Sequence, residues 1–153
     1  MALVALYLFA HQPYRLRDYP ERRRMDEQSS TELYQHLFED EFNEEVFHRV
    51  ARECYLPATR LMRDVIKDLR GTSQPFKINY ALSGLFLDQA LIWEPELIEL
   101  FQELAETGLV EFTGETYYHS LTSLFGLDRS EFCAQVRLHS EKIERLFGRR
   151  PAF

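Results

Sequence analysis

Cysteine is scarce in this chain. Cys54 and Cys133 are the only two, far apart and without metal-ligand spacing, so neither a disulfide framework nor a thiolate metal site can be read. Both read as small hydrophobes on the apolar faces of helices, and their scarcity fits a reducing, cytoplasmic setting. Glycine and proline are sparse too, six of each in 153 residues, which excludes collagen-like and low-complexity organisation. The apolar run at 3–10 falls well short of the ~20 residues a membrane span needs. It lacks a basic flank and leads into a polar motif instead of a small-residue cleavage site, so neither export nor a membrane partner is expected. Basic residues are outnumbered, 18 against 25 acids for a net charge of −7, which argues against a nucleic-acid partner. One basic cluster, Arg15, Arg17, Arg22, Arg23 and Arg24, is interrupted by Asp18 and Glu21 and reads as a solvated loop or a substrate-side rim. Glycine-rich phosphate loops and a Gly-x-Ser-x-Gly elbow are absent, leaving nucleotide and acyl-transfer chemistry without support. His11, His36, His48, His119 and His139 are scattered and form no metal-binding pair, so no metal and no cofactor are expected.

What is present suits one ordinary domain with a sizeable core, the hydrophobic share being 45% and the aromatic share 14%. The run at 3–10, rich in branched and aromatic side chains, predicts a strand buried on both faces. Ser29 and Glu32 have capping-box spacing and predict a helix beginning near Thr31. Residues 44–54 and 57–69 read as two further helices, the second with Leu61, Val65 and Leu69 on its core-facing stripe. A turn at 71–75 leads to a strand over 76–82, then to helices over 85–92 and 95–105. The latter buries Leu97, Leu100, Phe101 and Leu104, with Pro95 in its first turn and Gly108 as its stop. A short strand follows at 109–113. The last helix is expected to have Asp128 as its cap, Glu131 completing a box, Leu127 stapled onto Phe132, and an apolar stripe of Phe132, Val136, Ile143 and Phe147 ending at Gly148. Alternating strands and helices predict an α/β fold with three parallel strands joined by right-handed crossovers.

In parallel sheets, sites are built at the carboxyl ends of strands. These ends supply His11 and Gln12, then Ser83 and Gly84, then Glu111, Tyr118 and His119. Period-two alternation puts Glu111 on one face with Leu109 and Thr113, and a carboxylate within a strand needs a partner if it is buried. The alternative is an edge-strand acid facing water. Tyr117, Tyr118 and Trp93 could supply stacking surfaces for pyranose rings, although singly each is as well suited to packing. Glu115 could be proposed as a stand-in nucleophile, but only its proximity in sequence supports it.

Three stretches together, LYLFAHQPYRL at 6–16, KINYALSGLFLDQ at 77–89 and GLVEFTGETYYHSL at 108–121, resemble the start of glycoside hydrolase family 57, most closely its α-amylase-type members. His11-Gln12-Pro13 matches the family's first signature and the segment from Gly108 to Glu111 its second. One departure is Phe9, where many members carry a second histidine. The resemblance implies the N-terminal part of an incomplete (β/α)7 barrel, spanning 1–153 and interrupted after the third βα unit. It implies a retaining enzyme acting on α-glucans or maltooligosaccharides, by hydrolysis or transfer. His11, Gln12, Glu111, Tyr118, His119 and Trp93 would bind substrate, with His11 and Glu111 meeting in one sugar-sized hollow. The nucleophile and acid/base pair of a retaining glycosidase would lie beyond Phe153, leaving the chain alone without turnover and prone to self-association through its strand edges. Two alternatives stand beside this: a non-catalytic carbohydrate-binding or interaction module, and a metal-dependent deacetylase-like domain. The latter is disfavoured because Gln12-Pro13, not an acid, follows His11.

Overall fold

The first helix forms as its sequence dictates. In the computed structural model, which describes residues 5–17, 29–124 and 126–151, Ser29 accepts from the Glu32 amide while Glu32 reaches back to the Ser29 amide, and α1 runs Ser30–Leu37. Two orphan amides are thereby satisfied at once. Next come α2 (Asp40–Val50), a π-helical turn (Ala51–Tyr55) and α3 (Leu56–Leu69). These are one unbroken helical run where two separate helices were expected. The wide turn explains the continuity: the Leu56 amide bonds Ala51 one residue farther back than in an α-helix. That loosening accommodates Pro57, which lacks an N–H and would otherwise press on the preceding turn.

The face that α3 buries differs from the expected stripe. Leu56, Thr59 and Ile66 are buried, while Leu61 and Leu69 are exposed. A threonine interrupts the true stripe, and the more uniformly apolar one faces outward.

Three strands form a parallel sheet in the order β1 (Tyr7–Ala10), β2 (Ile78–Leu82), β3 (Val110–Phe112). Between β2 and β3 lie α4 (Gly84–Trp93) and α5 (Pro95–Glu106), and α6 (Ser130–Phe147) follows β3. Leu97, Leu100, Phe101 and Leu104 form the buried face of α5, joined by Ile98 and Ala105. One face of the sheet, carrying Ala10, Ile78, Tyr80, Leu82, Val110 and Phe112, belongs to the buried core with Phe101, Ile143 and Phe147. Stacked Phe112 and Phe147, ring centres 4.3 Å apart, tie β3 to α6. Tyr80, its hydroxyl unpartnered in this core, has its pKa pushed up to about 12 by burial.

The opposite face is open at Tyr7, Phe9 and Glu111, while Ala81 on the same face is fully buried. Register places Tyr7 beside Asn79 and Glu111, and Phe9 beside Ala81. Tyr7 is 57% exposed and Phe9 44%. β1 is therefore not buried on both faces as its composition predicts; Leu3 and Val4 of the apolar run lie outside the described residues.

The start of α6 also departs from expectation. Its N-cap is Arg129, without a side-chain cap bond. Asp128 Oδ1 instead accepts from the Ser130 amide at 2.8 Å, an aspartate-centred turn that competes with capping. Glu131 is engaged by Gln135 at 2.7 Å, and Leu127 is fully exposed, so no staple forms. The far end behaves as read, Gly148 ending the helix in the left-handed region at φ 72°. Cys54 and Cys133 are both free and exposed instead of lying on apolar faces.

Candidate functional site

The uncovered face leads, at the carboxyl ends of the strands, into a cluster of rings. Alternation along β1 carries Tyr7, Phe9 and then His11 on the same side. His11 Nδ1 lies 2.8 Å from Ser83 Oγ. Ser83 is the N-cap of α4 and accepts from the Phe86 amide through the same oxygen. Its hydroxyl proton is within reach of His11 Nδ1.

The segment after β3 brings a second imidazole. His119 closes a turn, its amide bonding the Thr116 carbonyl at 2.9 Å, and it holds φ at 52°, the non-glycine residue with positive φ among those described. Such backbone is sparsely populated and persists only where surroundings impose it. The His119 ring sits 4.9 Å from that of His11 and 4.7 Å from that of Phe9, centre to centre. Glu115 Oε2 lies 3.1 Å from His119 Nδ1. Its other oxygen, Oε1, is buried without a partner.

Electrostatics follow from this crowding. Burial, and secondarily the neighbouring His119, hold the His11 pKa below the ordinary imidazole value. Burial pushes the Glu115 carboxyl up, opposed by its contact with His119.

Beside His11 opens a cleft of about 520 Å³ lined by Pro13, Tyr14, Tyr34, Phe38, Leu85, Asp88 and Tyr118. Its volume is that of a small-ligand site, and its walls are aromatic with polar groups at His11 and Asp88. Tyr118 is 47% exposed, a ring available to a ligand. The adjoining Tyr117 faces the other way. Its hydroxyl donates to Asp88 at 2.8 and 3.0 Å, and buried Lys142 donates to the same carboxylate at 2.6 Å. Burial and the Asp88 bond both raise the Tyr117 pKa. Gly84 is required under this ring, since a Cβ there would lie 2.4 Å from Tyr117 carbons.

The remaining expected residues fall elsewhere. Gln12 is 6% exposed and turns inward. Its amide end lies 3.3 Å from the Tyr55 hydroxyl and, with its oxygen toward Arg15, accepts at 2.9 and 3.1 Å. Gln12 therefore braces the loop after β1. Trp93 packs behind the cleft against Tyr14 and Phe47, at 6.2 and 5.8 Å.

Glu111 shares the uncovered face with His11 but not its hollow. It pairs in register with Asn79, whereas His11 bonds Ser83. Four residues along the strand and two strand spacings across put the two backbones about 16 Å apart. Glu111 is exposed, makes no hydrogen bond or ion pair among the described residues, and lines a separate hollow of about 450 Å³ with Lys77, Asn79, Arg149 and Arg150. The acid standing beside the imidazoles is Glu115.

Sequence reasoning missed Tyr14, Tyr34, Phe38 and Asp88 as cleft residues. Tyr14 and Asp88 fall inside the quoted signature stretches, a usable signal; Tyr34 on α1 and Phe38 just past its end arrive through tertiary packing alone. Of the basic cluster, Arg17 donates to the Phe38 carbonyl at 2.7 Å, and Arg22, Arg23 and Arg24 lie outside the described residues. Among the described residues, no group of three or more His, Cys, Asp or Glu could hold a metal ion, and no helix is long and apolar enough to cross a membrane.

Comparison with known proteins places this geometry. The sequence model of glycosyl hydrolase family 57 matches residues 5–153. A curated protein of Methanocaldococcus jannaschii named "Putative alpha-amylase" is 34% identical over 146 residues, covering 95% of this chain and 29% of that protein. The crystal structure of 4-alpha-glucanotransferase from Thermococcus litoralis matches with a TM-score of 0.60 at 14% identity, over 93% of this chain and 17% of that one. That last likeness speaks for the fold alone. This chain thus spans less than a third of the length of either protein. On the strength of the family match and the sequence relative, the chain belongs to glycosyl hydrolase family 57.

Proposed function

We propose that this chain forms the substrate-binding floor of a retaining α-glucan-active glycoside hydrolase, built from the first three βα units of a (β/α)7 barrel. The observation that carries the reading is the uncovered sheet face ending in the His11–His119 pair beside an aromatic cleft. An α-glucan chain presents hydroxyls around each ring and apolar C–H faces above and below, and the cleft offers matching groups. Tyr14, Tyr34 and Tyr118 supply aromatic walls, while His11 and Asp88 supply hydrogen bonds, with His119 beside His11.

Glu111, farther along the same face, would contact a different part of the substrate from His11. Retaining glycosidases need two carboxyls about 5–5.5 Å apart. Asp88 is held by Lys142 and Tyr117, and Glu115 by His119, so neither acid near the cleft stands free as a nucleophile. The catalytic pair is therefore assigned to sequence outside these 153 residues, and the chain alone binds without turnover. Hydrogen bonds from His11 and its neighbours would strengthen as charge develops on the reacting sugar. No metal or cofactor enters this reading, and two free cysteines suit a cytoplasmic protein.

Affinity electrophoresis tests the proposal. The chain should be retarded in native gels containing amylose but not in gels containing a β-linked glucan, and Tyr118→Ala should abolish most of the retardation. Equal migration in both gels would contradict it.

A further inference from the structure

Resting on the α-glucan reading, a finer property of the site follows from how its two imidazoles are held. A neutral imidazole donates through one nitrogen and accepts through the other, and the partner on one side decides which. His11 has Ser83 at Nδ1, 2.8 Å away, and the Ser83 oxygen also accepts from the Phe86 amide, leaving the hydroxyl proton able to serve that nitrogen. With Ser83 donating to Nδ1, His11 carries its own proton on Nε2. His119 has the opposite neighbour: a carboxylate oxygen, Glu115 Oε2, 3.1 Å from its Nδ1. A carboxylate only accepts, so Nδ1 of His119 must hold the proton and Nε2 is left with its lone pair.

We infer that Ser83 and Glu115 are positioning residues that fix the two imidazoles in opposite tautomers, so that His11 and His119 together offer one donor and one acceptor to a single sugar hydroxyl. A hydroxyl is the group that uses both, accepting from one partner while donating to the other. Two hydrogen bonds of about 2.8 Å meeting at a tetrahedral oxygen put their outer atoms about 4.6 Å apart. The two ring centres are 4.9 Å apart and the rings tilted by 41°, close enough for one nitrogen of each to reach a shared oxygen. The strained φ of 52° at His119 has a rationale here, since it folds the ring back over Glu115 and toward His11. The buried, unpartnered Oε1 of Glu115 shows that this carboxylate is held by enclosure as well as by its one bond.

Ring-nitrogen NMR on the full 153-residue chain, at a pH where both imidazoles are neutral, reads the tautomers directly and needs no substrate. The expected result is His119 protonated at Nδ1 and His11 at Nε2. Glu115→Gln, whose amide oxygen still accepts, should keep the His119 tautomer, whereas Glu115→Ala should release it. Maltotriose affinity should then fall about tenfold in Glu115→Ala, the worth of one hydrogen bond, and be largely restored in Glu115→Gln. His119 found protonated at Nε2 in the unaltered chain, or a Glu115→Ala spectrum identical to it, would overturn the inference even with maltotriose bound. The converse result, expected tautomers without any maltotriose binding, would sink the α-glucan reading while supporting the positioning roles.

Discussion

Replacing Gly84 with alanine should be costly out of proportion to one methyl group. The added Cβ would stand 2.4 Å from Cγ and Cδ1 of Tyr117 and 2.5 Å from its Cε1, so the ring must retreat by about 1 Å to reach ordinary contact distance. It is not free to do so. Its hydroxyl donates to both oxygens of Asp88, at 2.8 and 3.0 Å, and its backbone carbonyl accepts from the Leu85 amide at 3.3 Å. Overpacking of this kind costs about 1–3 kcal/mol, and loosening a hydrogen bond to a charged group adds about 1.5 kcal/mol. Alanine regains up to about 1 kcal/mol over glycine in a helix, so the net loss should be about 2 kcal/mol. Urea unfolding followed by Trp93 fluorescence would measure it. In a Tyr117→Ala background the same substitution should be neutral or slightly stabilising, because the ring atoms nearest the added methyl are gone. A Gly84→Ala penalty under about 0.5 kcal/mol, or one that persists undiminished in that background, would refute the reasoning.

Other outcomes follow from the same structure. Lys142→Met strands the partly exposed Asp88 with Tyr117 alone and should destabilise by about 2 kcal/mol, the buried-pair cost reduced for solvent access; an unchanged urea midpoint would count against the network. His139 donates from Nε2 to the Leu82 carbonyl at 2.9 Å, and burial holds its pKa below the ordinary value of 6.5, only partly offset by that bond. A depressed histidine binds fewer protons folded than unfolded, so its contribution is complete above pH 6.5 and is lost as pH falls toward the folded value. His11 acts in the same direction, while the raised Glu115 pKa favours the folded state below its unfolded value of 4.5 and loses that advantage as pH rises through the folded one. His139→Gln, which keeps a donor to Leu82, should flatten the fall in melting temperature below pH 6.5; a slope equal to the parent's would exclude this role. The uncovered face should drive concentration-dependent self-association in sedimentation, and Phe9→Lys should suppress it; a parent monomeric at all concentrations would contradict that expectation. Cys54 and Cys133 should both react with a thiol reagent at once without denaturant.

What the sequence made legible was local. The Ser29–Glu32 box, Pro95 opening α5 and Gly148 closing α6 each depend on a few neighbouring residues, and each formed as read. Misreadings arose where two local options competed or where packing decided. Asp128 took a turn in place of a cap. On α3 the buried stripe runs through Thr59, and only tertiary contacts reveal that Leu61 and Leu69 face outward. At the site, strand-end position found His11, Tyr118 and His119, but register separated His11 from Glu111, and register between strands is not written in either strand alone. Glu115 became the relevant acid through a turn whose left-handed residue is a histidine, a conformation no propensity favours strongly.

The proposed function rests on the cleft beside the two imidazoles binding α-linked glucose chains. Titrating the labelled chain with maltoheptaose while following the aromatic ring protons tests it most directly. Saturable shifts are expected at His11, Tyr14, Tyr118 and His119, with Trp93 moving less because it lies behind Tyr14. Saturable shifts centred on the hollow around Glu111 and Arg149, or none at any rings of the cleft, would contradict it.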